Sequence, residues 1–146
     1  MNAEQLLKTK GVDATVIGPE QTIAATARLL AARNKGLALV RGAGGKLVGV
    51  VSVIDISRAI GAYAERAPAM AVESIMTTDF CSCHLKDSVE CVLEKMNERR
   101  LRHMPIVEDG MLKGLLNKRG VLEARFEDAS MQAEEMRRYV FGAGYH

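Results

Sequence analysis

The chain has 146 residues, with 20 Lys and Arg against 18 Asp and Glu, and its net charge of +2 gives no electrostatic mandate for binding nucleic acid or an acidic membrane. Hydrophobic residues make up 48%, enough for the core of one domain, whereas aromatics at 4% are too few for the stacking platforms that grip single strands. Three cysteines cannot close a disulfide set, no apolar run approaches the ~20 residues of a bilayer span, and the polar start Met1-Asn2-Ala3-Glu4-Gln5 is unlike a signal, so a cytoplasmic protein is expected.

Pro19 to Thr22 opens the first predicted helix, with Thr22, Ala25, Leu29 and Leu30 near helical spacing and Asn34-Lys35-Gly36 as its stop. Leu37 to Arg41 and Leu47 to Ser52 read as short, continuously apolar strands with both faces covered, joined by a glycine hairpin turn at Gly42-Ala43-Gly44-Gly45-Lys46. A helix from about Val53 to Glu65 follows, then a linker at Arg66-Ala67-Pro68-Ala69, where proline removes a donor. The same order returns as a helix from Ser88 to about Arg99, strands at Met104 to Val107 and Leu112 to Asn117, and a helix from about Arg119. That last helix is expected to run through Leu122, Phe126, Ala129, Met136 and Val140 until Gly142 and Gly144 end it. Its mixture of Glu and Arg suits a solvated face, and its apolar stripe suits a dimer contact.

The two halves are one pattern written twice. Thr22-Ile23 matches Ser88-Val89 and Leu39-Val40 matches Pro105-Ile106 at an offset of 66, while Gly49 matches Gly114 at 65, so one residue is lost in the second hairpin turn at Glu108-Asp109-Gly110-Met111. A unit this long exceeds the roughly 20 to 50 residues of solenoid repeats.

Leu6-Leu7-x-x-Lys10-Gly11, Thr22-Ile23 and Leu47-Val48-Gly49-Val50-Val51-Ser52 with Asp55-Ile56 resemble the cystathionine β-synthase (CBS) domain. The second copy resembles it more closely, through Val72-x-x-Ile75-Met76-Thr77 and Leu101-Arg102-His103-Met104-Pro105-Ile106-Val107-Glu108-Asp109-Gly110. The resemblance implies an α/β (α+β) fold of two βαββα repeats packed through their sheets about a pseudo-twofold axis. Repeat 1 would span 6–66, a linker 67–71, repeat 2 72–126 and a C-terminal helical extension 127–146. It also implies a stand-alone, regulatory CBS pair, a homodimer, that senses AMP, ADP or ATP, or else NAD or S-adenosyl methionine, in the cleft between repeats. No cofactor is required, and the protein it regulates is unknown.

The implied nucleotide-binding residues are Asp55, Ser52, Ile54 and Val50 at the first strand-to-helix corner, with Arg102, His103 and Lys35 from the segments that precede each repeat's central strand. An Asp in the first helical turn can accept hydrogen bonds from both ribose hydroxyls, while Ser52 and the free helix N–H groups face phosphates. The same residues also spell a capping box, in which Asp55 reaches back to satisfy its own backbone. The second repeat has Asn117-Lys118-Arg119-Gly120 there, a helix start without the acid, so one complete ribose site per chain is expected. Arg102 offers a donor fork and His103 a donor whose charge follows pH, although Arg99, Arg100 and Arg102 also suit a helix C-terminus as dipole partners.

Cys81-Ser82-Cys83-His84 with Cys91 is spaced poorly for tetrahedral zinc, and buried apolar cysteines are expected, Cys81 and Cys83 alternating on a short strand. Gly42 to Lys46 lacks the pattern of a phosphate loop. His84, His103 and His146 have no recognisable catalytic partners, so no enzyme is expected. The alternative function is a ligand-independent homodimerisation scaffold with a vestigial cleft. Nucleic-acid binding through Arg99, Arg100, Arg102, Lys118 and Arg119 is the weakest reading, given the near-neutral charge.

Overall fold

The computed structural model of the chain describes the backbone of residues 1–144 and side chains through Val140. The elements are α1 (Ala3–Lys10), β1 (Thr15–Ile17), α2 (Ile23–Arg33), β2 (Leu37–Arg41), β3 (Leu47–Ser52), α3 (Val53–Tyr63), α4 (Val89–Arg99), β4 (His103–Glu108), β5 (Met111–Asn117) and α5 (Lys118–Gly144). Local signals set the helix ends, and they recur in register. Thr22 Oγ1 accepts the Ala25 N–H at 3.1 Å to start α2, and Ser88 Oγ accepts the Cys91 N–H at 3.1 Å to start α4. Each helix stops on a left-handed residue, Asn34 with φ 54° and Arg100 with φ 54°. The next amide then reaches back in both, from Lys35 to Leu30 O at 2.9 Å and from Leu101 to Met96 O at 2.8 Å.

The chain divides into two compact units, the first made of residues 1–12, 83–106 and 114–146, the second of 13–82 and 107–113. In the second unit β1 pairs parallel to β2, and β2 pairs antiparallel to β3 with Leu39 opposite Val50 and an irregularity at Val40/Arg41. Ala38, Leu39 and Val40 are fully buried, as a doubly covered strand requires. β3 departs from that expectation: buried Leu47, Gly49 and Val51 alternate with half-buried Val48, Val50 and Ser52, so one of its faces is only partly covered. Ile17, Ile23, Leu30, Val40, Val51, Ile56 and Val72 join in one core. The residues between repeats are not slack, because Ala64–Ala69 forms 3-10 turns with Ala67 fully buried.

In the first unit α1, α4 and α5 pack on one another over buried Leu6, Val92, Met96, Val121 and Ala124. β4 and β5 form a two-stranded sheet, and its tight turn, among the residues 107–113 that belong to the second unit, has both central residues left-handed, Asp109 with φ 52° and Gly110 with φ 81°. The short strand expected at Cys81 and Cys83 is reduced to one parallel bridge between Cys83 and Ile106, closed by the Cys83 N–H on Pro105 O at 3.0 Å. Cys83 is buried, but Cys81 and Cys91 are only half-buried, so the expectation of buried cysteines holds for one of three. Gly142 does not end α5, which runs on to Gly144. His146 lies outside the described residues.

Each repeat's opening segment is held by the other repeat's elements. Residues 1–12 lie in the unit built on the second repeat: the Ala3 N–H donates to Asp87 O at 2.8 Å, the Val89 N–H to Met1 O at 3.0 Å, and the Val12 N–H to Leu115 O at 3.0 Å. The counterpart segment does the same in the other unit, through Val72 N–H to Gln21 O at 2.8 Å, Ile23 N–H to Met70 O at 2.8 Å, and the paired Val50 and Thr77 amides at 3.0 and 2.9 Å. Two glycines make the close approach possible. A Cβ on Gly49 would come within 2.6 Å of Met76 Sδ, and one on Gly114 within 2.3 Å of Leu7 Cδ1.

Asp87 anchors the turn that receives α1. Its Oδ2 accepts the His84 N–H at 2.9 Å and Lys95 Nζ at 3.3 Å. Burial alone would raise this carboxyl, but the His84 amide and the Lys95 ammonium outweigh it and hold it below the usual carboxylate range. A depressed carboxyl stabilises the native state above its unfolded value of 3.8 and ceases to do so as pH falls through its lower folded value. Asp87→Asn is therefore expected to lose about 1 kcal/mol near pH 7. Urea unfolding should show that gap from wild type closing as pH falls below 3.8 and through the carboxyl's lower folded value.

Candidate functional site

At the end of β3 the chain turns directly into α3, and Ser52 Oγ accepts the Asp55 N–H at 3.1 Å while Asp55 Oδ2 accepts the Ser52 N–H at 2.9 Å. This is the capping box, formed in full. It fixes the carboxylate at the corner, where its side chain is 15% exposed. The cap occupies one lone pair of Oδ2; Oδ1 stands 3.8 Å from Arg58 Nη1, beyond hydrogen-bond reach, and that guanidinium is 78% exposed. A carboxylate so placed is oriented by its own backbone and still has acceptor capacity for a pair of hydroxyl donors. Around it Ile54 is exposed, and Val50 and Ser52 are half-buried.

Thr15 is a residue that sequence reasoning missed. Its side chain is 1% exposed, and its Oγ1 is buried with no hydrogen-bond partner among the described residues. Thr15 pairs with Ala38, which pairs with Val51, so this hydroxyl sits on β1 at the end of the sheet from which Ser52 and Asp55 project. Two strand spacings, roughly 10 Å, separate Thr15 from Val51. A β-strand threonine carries no mark in sequence to distinguish it from a satisfied one.

The equivalent corner of the second repeat is built differently. Asn117 Oδ1 accepts the Gly120 N–H at 2.8 Å, so the helix is capped without an acid. A Cβ on Gly120 would lie 2.9 Å from Asn117 Oδ1, 3.2 Å from Lys10 Cβ and 3.3 Å from Lys10 O. The end of α1 fills the space that a longer side chain would need. Lys10 also ties down the start of α5, with Nζ 3.1 Å from Glu127 and 3.3 Å from Glu123; these hydrogen bonds, Glu127's first, raise its pKa.

The other expected residues belong to two places. Lys35 is exposed in the second unit, whereas exposed Arg102 and half-buried His103 belong to the first. Within the matched segments Lys35 corresponds to Leu101. The Val53 N–H donates to Gly36 O at 3.1 Å and the Lys118 N–H to Arg102 O at 2.8 Å, which aligns Gly36 with Arg102 and Lys35 with Leu101. No group of three or more His, Cys, Asp or Glu able to hold a metal occurs among the described residues, and none of their helices is long and apolar enough to cross a membrane.

The chain is 28% identical over 130 residues to a 17.7 kDa protein of Acidianus ambivalens encoded in the bps2 3′ region, covering 88% of this chain and 77% of that one. Among solved structures it is similar to a CBS-domain containing protein from Agrobacterium tumefaciens, at 28% identity and a TM-score of 0.73, over 85% of this chain and 92% of that one. It shares its fold with the CBS domain pair of protein MJ0100, solved with 5′-methylthioadenosine and S-adenosyl-L-methionine, at 20% identity and a TM-score of 0.70, over 88% and 98% of the two chains. The family model of the CBS domain matches twice, at residues 7–62 and 72–127, and with the duplicated caps, stops and exchanged opening segments this makes the chain a member of the CBS-domain family, a tandem pair.

Proposed function

We propose that this chain is a non-enzymatic regulatory module that binds an adenosine-containing ligand at the Ser52–Asp55 corner, one per chain. The observation that carries the reading is the Asp55 carboxylate itself, positioned by its capping bond with Oδ1 outside any hydrogen bond to Arg58, in one repeat and not in the other. A ribose presents two adjacent hydroxyl donors, which two carboxylate lone pairs match, and charge-assisted bonds of this kind are the strong ones. The MJ0100 pair, of the same fold, holds two adenosine derivatives.

Thermal unfolding with AMP, ATP, NAD and S-adenosyl methionine tests the reading. A ligand present at ~100 times its Kd adds about 2.7 kcal/mol, which raises the midpoint by about 5–10 °C in a chain of this size. A flat response to all four would instead favour the scaffold function.

A further inference from the structure

The last turns of α5 lie beyond the second family match, which ends at residue 127. Every residue from Ala129 to Val140 is exposed, so nothing in the first unit covers this stretch. Its sequence nevertheless has a seam. Leu122, Phe126, Ala129, Ala133, Met136 and Val140 follow one another at alternating steps of four and three, the 3.5-residue period of a coiled coil. The seam faces away from the unit: Val121 and Ala124 are fully buried, whereas Leu122 is 46%, Phe126 74%, Met136 66% and Val140 55% exposed. An isolated helical stretch of this length is marginal in water and draws its stability from packing on its apolar stripe.

The order of sizes along the seam identifies the occupant. Read forward from Leu122 it runs large, large, small; read backward from Val140 it runs large, large, small again. Such a palindrome matches itself under a two-fold axis, the commonest symmetry of soluble oligomers. We infer that α5 pairs antiparallel with α5 of a second copy of this chain, with Leu122 packed on Val140, Phe126 on Met136 and Ala129 on Ala133 of the other copy. The central alanines let the helices approach to about 8 Å, and the larger side chains close both ends.

The flanking charges fit the antiparallel sense. In this register Glu123 lies beside Arg137 of the other copy, twice, and Arg125 lies beside its Tyr139. A parallel pair would set Arg125 against Ser130 and Gln132 against Arg137, and its one opposite-charge pair, Lys118 with Glu123, would lie at the very start of α5. Glu123 already receives Arg119 Nε at 3.2 Å and Lys10 Nζ at 3.3 Å, so its share in the intermolecular pair is modest. The large contribution is apolar. This pairing involves none of the groups at the Asp55 corner and stands whether or not a nucleotide binds.

Sedimentation equilibrium of the full chain across a range of concentrations is the test. Wild type is expected to dimerise, and Phe126→Glu with Met136→Glu to weaken association at least ~100-fold, because each substitution enters a two-fold interface twice. Both side chains are exposed in the monomer, so its fold, followed by circular dichroism, should be unchanged. The charge pair gives a second readout should that variant fail to fold: Arg137→Glu alone is expected to weaken the dimer about threefold, and adding Glu123→Arg to restore it. The inference is overturned if wild type stays monomeric, if the dimer persists in the Phe126→Glu/Met136→Glu variant, or if the double charge reversal associates no better than the single one.

Discussion

Leu6→Ala is expected to cost about 3 kcal/mol and to lower the unfolding midpoint by about 6–12 °C, although the residue lies in the first turns of the chain. Leu6 and Ala3 have no exposed surface, and α1 packs on both α4 and α5. Terminal helices tolerate change when their backbone is free, and this one is not. Its first amides donate to Asp87 O at 2.8 Å and Leu85 O at 2.9 Å, and Lys10 at its far end holds Glu123 and Glu127. Deleting residues 2–12 should go further and abolish the cooperative unfolding of the unit formed by α4, β4, β5 and α5. Exposed Lys8 supplies the control, since Lys8→Ala should stay within about 0.5 kcal/mol of wild type. Differential scanning calorimetry decides the matter: a Leu6→Ala midpoint close to wild type would mean that α1 is an ornament rather than part of the core.

Asp55→Ala is expected to lower affinity for the adenosine ligand about a hundredfold, since it removes two charge-assisted hydrogen bonds. The same substitution breaks half of the capping box, which costs about 1 kcal/mol of stability, and the two effects have to be separated. Ser52→Ala separates them. It removes the Oγ that accepts the Asp55 N–H, costing a similar ~1 kcal/mol, but leaves the carboxylate in place, so its affinity should fall only a few-fold. Isothermal titration calorimetry of the two variants beside wild type checks both. Equal losses in Ser52→Ala and Asp55→Ala would reduce Asp55 to a cap, and a second equivalent site in wild type would contradict the asymmetry between Asp55 and Gly120.

The duplicated order of elements was legible in the sequence because it rests on local signals. Thr22 and Ser88 start helices with their own hydroxyls, Asn34-Lys35-Gly36 stops one, and continuous apolar runs mark β2 and β3, whereas the three residues of β1 went unread. The turn that lost a residue was legible for the same reason, as Asp109-Gly110 closes a hairpin more tightly than Gly42 to Lys46 does. The exchange of opening segments was not legible, because it depends on which distant strand offers a carbonyl to the Val12 and Thr77 N–H groups, and no periodicity encodes that choice. Likewise the absence of an acid at Gly120 could be read, but not its cause, since Lys10 is far away in sequence. The corner itself was read in two ways, as a cap and as a sugar site. The structure forms the cap and leaves Oδ1 beyond hydrogen-bond reach of Arg58.

The traded opening segments also bear on ancestry. A polypeptide carrying a single repeat would hold a leading segment with no seat of its own and a seat with no occupant, so it would be completed only by meeting a second molecule. Joining two such genes end to end turns that encounter into a tethered one, at a local concentration near the millimolar range that short linkers provide. Once fusion guarantees completion at any dilution, the halves no longer need identical sites, and one is free to surrender its acid to a glycine under a lysine backbone.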